Sequence, residues 1–187
     1  MTIDRQRQIE GLIALVLFGL SIPAANWLIG NAGTVCVPNG PCLVPVAPGI
    51  MAPSGVLMVG LALVLRDIVQ RRLGAKAALI AIAAGALLSG LLAPPAIVIA
   101  SMAAFLLSEL TDFAVYTPLQ RRNFVAAVAA SSVIGLVVDS IVFLQLAFGS
   151  LDFLTGQIIG KAWMVLLALP LMFWLRRRDE RLGLMPA

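Results

Sequence analysis

What most constrains this chain is the alternation of long apolar runs with short charged or Pro/Gly-rich pieces. The apolar runs are mostly 15 to 20 residues long. An α-helix rising about 1.5 Å per residue needs roughly that length to cross a hydrocarbon core of about 30 Å. The sequence therefore predicts an all-α polytopic membrane protein, a single transmembrane domain over 1–187. Its six spans are expected at about 11–29, 49–66, 77–92, 95–114, 124–147 and 155–175. Composition agrees, at 61% hydrophobic and 12% charged, well outside the soluble range. A transmembrane β-barrel would show short alternating segments. A signal peptide would show a small-residue cleavage site after the first run. Neither pattern is present.

Charge placement orients the helices. With the N-terminus inside, twelve of the thirteen basic residues fall at the cytoplasmic face or its edge, and the loops 31–48, 93–95 and 148–154 carry none. This positive-inside asymmetry puts both termini in the cytoplasm, and the location expected is the bacterial inner membrane. The thirteenth, Lys161, lies within the sixth span. The net charge of +4 is thus a matter of membrane orientation, and no nucleic-acid partner is expected. Residues 1–10 read as a polar cytoplasmic lead-in, and the tail after Arg178 as short and polar.

The pieces between spans carry further expectations. Residues 31–48 form a loop rich in Gly, Pro and Val that holds Cys36 and Cys42. In an oxidising compartment these two would close a small loop by a disulfide; two free, buried cysteines are the alternative. The second span enters through Ala52-Pro53-Ser54-Gly55, where Pro53 and Gly55 would kink or open its first turns. Pro94-Pro95 marks a tight turn before the fourth helix. The third span, made largely of Ala, Leu, Ile and Gly, allows close helix approach.

Ionisable groups inside an apolar span are costly unless they face a partner or a polar cavity. Asp139 in span five and Lys161 in span six are natural charge partners, with Gln157 one turn from Lys161 on the same face. Asn26 in span one reaches a similar depth, so these four define an outer, cavity-facing level. Glu109 and Asp112 share a face of span four, which Tyr116 continues, with Ser108 on a neighbouring face. At that inner level Arg66 and Asp67 close span two. Arg66 there either pairs with Glu109 or Asp112 to lock two helices or joins them in holding a ligand. Phe105, Phe113, Phe143 and Trp163 are packing residues, of which one or two could stack on a planar ligand.

This chemistry is recognition rather than catalysis. Carboxylates and amides can meet the hydrogen-bonding edge of a guanine-like or pterin-like ring while an aromatic side chain covers its face. Histidine is absent, only two cysteines are present, and no nucleophile–base set or phosphate-binding loop is visible. No enzyme activity, metal or cofactor is expected. Transport would be facilitated or ion-coupled, with Glu109, Asp112 and Asp139 as proton-site candidates, unless a partner supplies ATP hydrolysis.

Four segments then carry a resemblance: PSGVLMVGLALVLRDIVQRRLG (53–74), SELTDFAVYTPLQRR (108–122), SSVIGLVVDSIVFLQLAFGS (131–150) and GQIIGKAWM (156–164). In this order they resemble the queuosine precursor transporter family, also called the vitamin uptake transporter family, over most of residues 49–165. The resemblance implies a six-helix bundle similar to the substrate-binding components of energy-coupling-factor transporters. It also implies import of a 7-deazaguanine such as preQ0 or preQ1 without a dedicated ATPase. Carried over by motif, the substrate-binding residues are Arg66, Asp67, Ser108, Glu109, Asp112, Asp139, Ser140, Gln157 and Lys161, to which depth adds Asn26. Ser54 stands before Gly55 where the family pattern often has Ala, and the two-cysteine loop has no counterpart in that pattern.

Two other readings are carried alongside. One is a substrate-binding component for a different small vitamin, docking an energising module through small residues such as Gly85, Ala86 and Ser89. The other is a membrane scaffold without ligand, its outer cavity closed by a direct Asp139–Lys161 pair. The partners expected are a planar small molecule and membrane lipid, and a second copy of the chain is left open.

Overall fold

The computed structural model describes residues 3–38 and 40–183. The first two residues of the lead-in and the last four of the tail lie outside the described residues. Among the described residues, six α-helices run antiparallel in succession: α1 (Ile3–Asn31), α2 (Val56–Leu73), α3 (Ala75–Leu92), α4 (Val98–Leu119), α5 (Phe124–Phe148) and α6 (Leu154–Leu182). Five are apolar and long enough to cross a membrane on composition alone. The sixth, α2, carries Arg66, Asp67, Arg71 and Arg72. All four are buried in the bundle, so the charge that spoils its hydropathy is satisfied inside the protein. Leu12, Val16, Ile80, Leu91, Ile99 and Leu167 are exposed, the outward apolar surface that a lipid-facing helix requires. The protein is an all-α polytopic membrane protein.

The loop expected at 31–48, and the start of the span expected at 49–66, fold instead as a small antiparallel sheet. Its strands β1 (Val35–Cys36), β2 (Cys42–Ala47) and β3 (Ile50–Pro53) lie in the order β1-β2-β3. Gly49, at φ 72°, turns β2 into β3, a conformation open to glycine at no steric cost. Pairing with β2 keeps Ile50–Pro53 extended, so α2 starts only at Val56, with Gly55 as its N-cap. Cys36 and Cys42 are register partners across β1 and β2 and are joined by a disulfide. The Ser54 hydroxyl donates to the Leu28 carbonyl at 2.6 Å, and the Trp163 indole donates to the Val46 carbonyl at 2.9 Å. The sheet is thereby tied to both α1 and α6.

Other boundaries also move. The lead-in is helical from Ile3. The span expected at 95–114 opens with a 3₁₀ turn (Pro95–Ile97) and continues to Leu119, carrying Pro118 within its last turn. The span expected to end at 175 continues to Leu182 because Asp179 is held by Arg71 and Arg72 of α2. Antiparallel α4 and α5 form a closely packed hairpin turned at 120–123, where the Asn123 side chain caps α5 by accepting from the Ala126 amide. Gly85, Ala86 and Ser89 are buried in the described bundle, with Gly85 against Phe105 and Ile22. The small-residue face of α3 therefore packs inward and is not a free docking surface.

Candidate functional site

A cavity of about 700 Å³, its open mouth included, lies toward the sheet end of the bundle. Its wall is mostly apolar, from Ile22, Val59, Ala104, Phe105 and Phe143, with a few polar side chains among them. That pattern, apolar bulk with sparse polar groups, is typical of small-molecule sites. Asn26, Ser108, Glu109, Asp139 and Gln157 all line it. Ser108 and Glu109 of the expected inner level therefore share one cavity with Asn26, Asp139 and Gln157 of the outer level.

Behind the wall stand two charged groups. In the first, Lys161 is 1% exposed, and its ammonium donates to Asp139 Oδ2 at 2.6 Å, Ser140 Oγ at 2.7 Å and Gln157 Oε1 at 2.5 Å. An ammonium has three protons to give, so these partners saturate it. The Ser140 hydroxyl in turn donates to the Leu136 carbonyl at 2.6 Å. The direct Asp139–Lys161 pair is present, yet the cavity beside it stays open.

The second group is centred on Arg66, fully buried on α2. Its Nε reaches Glu109 Oε2 at 3.1 Å, its Nη1 reaches Asp67 Oδ1 at 2.8 Å, and its Nη2 pairs with Asp112. Nη1 also donates to Gln70 Oε1 at 3.1 Å, and the Gln70 amide passes the chain on to Thr117 Oγ1 at 2.9 Å. The Ser131 hydroxyl donates to Asp67 Oδ2 at 3.3 Å, bringing in α5. The Tyr116 ring lies 5.7 Å from the guanidinium carbon. One guanidinium thus serves three carboxyl groups, on its own helix and on α4. Of these only Glu109 also faces the cavity; Arg66, Asp67, Asp112, Ser140 and Lys161 stand behind its lining.

At the opposite end of the bundle a third network joins α1, α2 and α6. Asp179 is 1% exposed and accepts from Arg71 Nε at 2.8 Å and from Arg72 Nη1 and Nη2 at 2.9 Å. Glu10 pairs with Arg72 at 3.0 Å and with Arg178 at 2.5 Å, and Arg71 stacks over Phe124 at 4.1 Å. Charge placement in the sequence marks these arginines only as orientation charges and does not single out Asp179 or Gln70. The helical spacing of Met172, Leu175 and Asp179, all buried on one face, was the available signal. Ser21, Ser89 and Ser101 also line the cavity. Serines in apolar helices commonly bond their own backbone, as Ser21 does to Phe18, so the sequence marks none of them as cavity-lining and offers Ser89 only as a small docking residue.

No curated protein and no solved structure matches this chain. A family model described as "Putative vitamin uptake transporter" matches residues 91–175, just under half of the sequence. That stretch runs from the end of α3 to Leu175 in α6, and holds Ser108, Glu109, Asp112, Asp139, Ser140, Gln157 and Lys161.

Proposed function

We propose that the protein imports a queuosine precursor, a 7-deazaguanine such as preQ0 or preQ1, across the bacterial inner membrane, with both termini cytoplasmic. The observation that carries this reading is the cavity itself. Two carboxylates, Glu109 and Asp139, and two amides, Asn26 and Gln157, share a wall with Phe105 and Phe143. Carboxylates accept the paired N–H groups of a guanine-type edge, and aromatic side chains cover a planar ring. The family match supports uptake of a small vitamin-like molecule, and the resemblance carried by the four sequence segments favours a deazaguanine. The cavity lies toward the arginine-poor end, the external face under the positive-inside rule. Import then requires the cavity to open alternately at the arginine-rich end, where the Asp179 network now joins three helices.

The test is a thermal-shift screen of purified protein against preQ0, preQ1, queuine, guanine, riboflavin and biotin. A ligand stabilises only a state that binds it, so selective stabilisation by preQ0 or preQ1 is expected. Stabilisation by riboflavin or biotin instead would replace the substrate, and stabilisation by none would favour the scaffold reading.

A further inference from the structure

The groups behind the cavity decide which hydrogen-bonding atoms its wall still has to offer. Lys161 only donates, so the Gln157 oxygen is the atom it holds. The amide nitrogen of Gln157 is therefore the end turned away from Lys161, an assignment fixed by the partner and not by the shape of the amide. That nitrogen has no hydrogen-bond partner among the described residues and is not among their sealed, unsatisfied atoms, so it stays accessible on the cavity wall. Asp139 spends Oδ2 on Lys161 and Glu109 spends Oε2 on Arg66. Asp139 Oδ1 and Glu109 Oε1 are likewise unpartnered and unsealed among the described residues. Ser108 gives its proton to the Phe105 carbonyl at 3.0 Å and Ser21 to that of Phe18 at 2.7 Å, leaving each as an acceptor. The wall thus offers several acceptors and, at Gln157, a fixed donor.

We propose that Lys161 is a positioning residue that holds Gln157 with its amide donor toward the cavity, so that the site selects a heterocycle presenting an oxo group there over one presenting an amino group. The complementary ligand gives ring and exocyclic N–H groups to Glu109 and Asp139 and receives the Gln157 proton on a carbonyl oxygen. A 2-amino-4-oxopyrimidine edge has this donor–donor–acceptor order. A 2,4-diaminopyrimidine edge sets a donor against a donor at Gln157, and its ring nitrogen, an acceptor when neutral, must take up a proton before it can face the carboxylates as the N–H of the oxo ring does. Without Lys161 the amide is free to rotate about its terminal torsion and accept instead, and Gln157's share of the distinction is lost.

The inference rests on the cavity being the deazaguanine site, and its test separates the two claims. Equilibrium binding to the purified full chain would be measured for two probes, preQ0 and its counterpart in which an amino group replaces the ring oxo group. Wild type is expected to favour preQ0 by at least about tenfold, since a site built to hydrogen-bond a group discriminates strongly against its mismatch. Lys161→Met should lower the ratio several-fold, leaving the part set by protonation of the diamino ring. Gln157→Glu, which keeps the shape but replaces the donor with an acceptor, should shift the ratio further toward the diamino probe than Lys161→Met does, a change that structural loosening would not produce. If preQ0 binds but the ratio is the same in wild type and Gln157→Glu, the positioning role is wrong while the substrate stands. If neither probe binds wild type, the substrate reading itself fails, and this inference with it.

Discussion

Glu109 is the residue at which the Arg66 cluster meets the cavity. One of its oxygens is held by Arg66 Nε and its side chain lines the cavity wall. Glu109→Gln keeps the shape and removes the charge. Losing a charge-assisted hydrogen bond to ligand costs about 1.5–3 kcal/mol, so preQ0 affinity should fall by roughly ten- to a hundredfold. Isothermal calorimetry on folded variant protein reads this directly; an unchanged affinity would remove Glu109 from the site. Arg66 has a different part, since it does not line the cavity. Arg66→Met leaves three buried carboxyl groups without their cation, and breaking a buried pair from one side costs about 3–5 kcal/mol. Its expected signature is lost stability in detergent, seen as a strongly lowered unfolding temperature. The sequence exposed these residues because an acid or base in an apolar run stands out. It could not show that Glu109 and Asp139 reach the same cavity, because depth along a helix does not give the width of the space between helices.

Between helices, close approach and ion pairing set the geometry. A Cβ built on Gly60 of α2 would stand 2.7 Å from the Lys161 carbonyl oxygen of α6, closer than such atoms pack. Gly60→Leu should therefore push α6 away at the turn that carries Lys161 and Gln157. The expected result is weakened preQ0 binding together with reduced thermal stability, whereas Gly30→Leu, where a Cβ meets nothing nearby, should change neither. The sheet was hidden from sequence reading for a local reason. Its strands are short, Pro45 and Pro53 lie within them, and Ile50–Pro53 leads toward the apolar run of α2 with only Ser54 and Gly55 between. Its disulfide closes a short loop, worth about 2 kcal/mol in the chain-entropy picture. Cys36→Ser with Cys42→Ser should lower the unfolding temperature modestly and leave the helical circular-dichroism signal in place. The end of α6 was missed because hydropathy falls at Arg176, although helix and burial continue to Asp179.

For the whole molecule, hydropathy and charge asymmetry sufficed to read six helices, because every lipid-crossing segment must satisfy its own backbone hydrogen bonds. The same asymmetry predicts that a green fluorescent protein fused after residue 187 will fluoresce and that alkaline phosphatase there will be inactive; the opposite pair of results would invert the topology. The central claim concerns passage of a deazaguanine through this bundle. Its most direct test is uptake of radiolabelled preQ0 into proteoliposomes containing the purified protein alone, without ATP or an added coupling protein. The account predicts saturable uptake that excess unlabelled preQ0 competes away and that Asp139→Asn reduces at least tenfold. Uptake no faster than in protein-free vesicles, by wild-type protein shown to be folded, would contradict it.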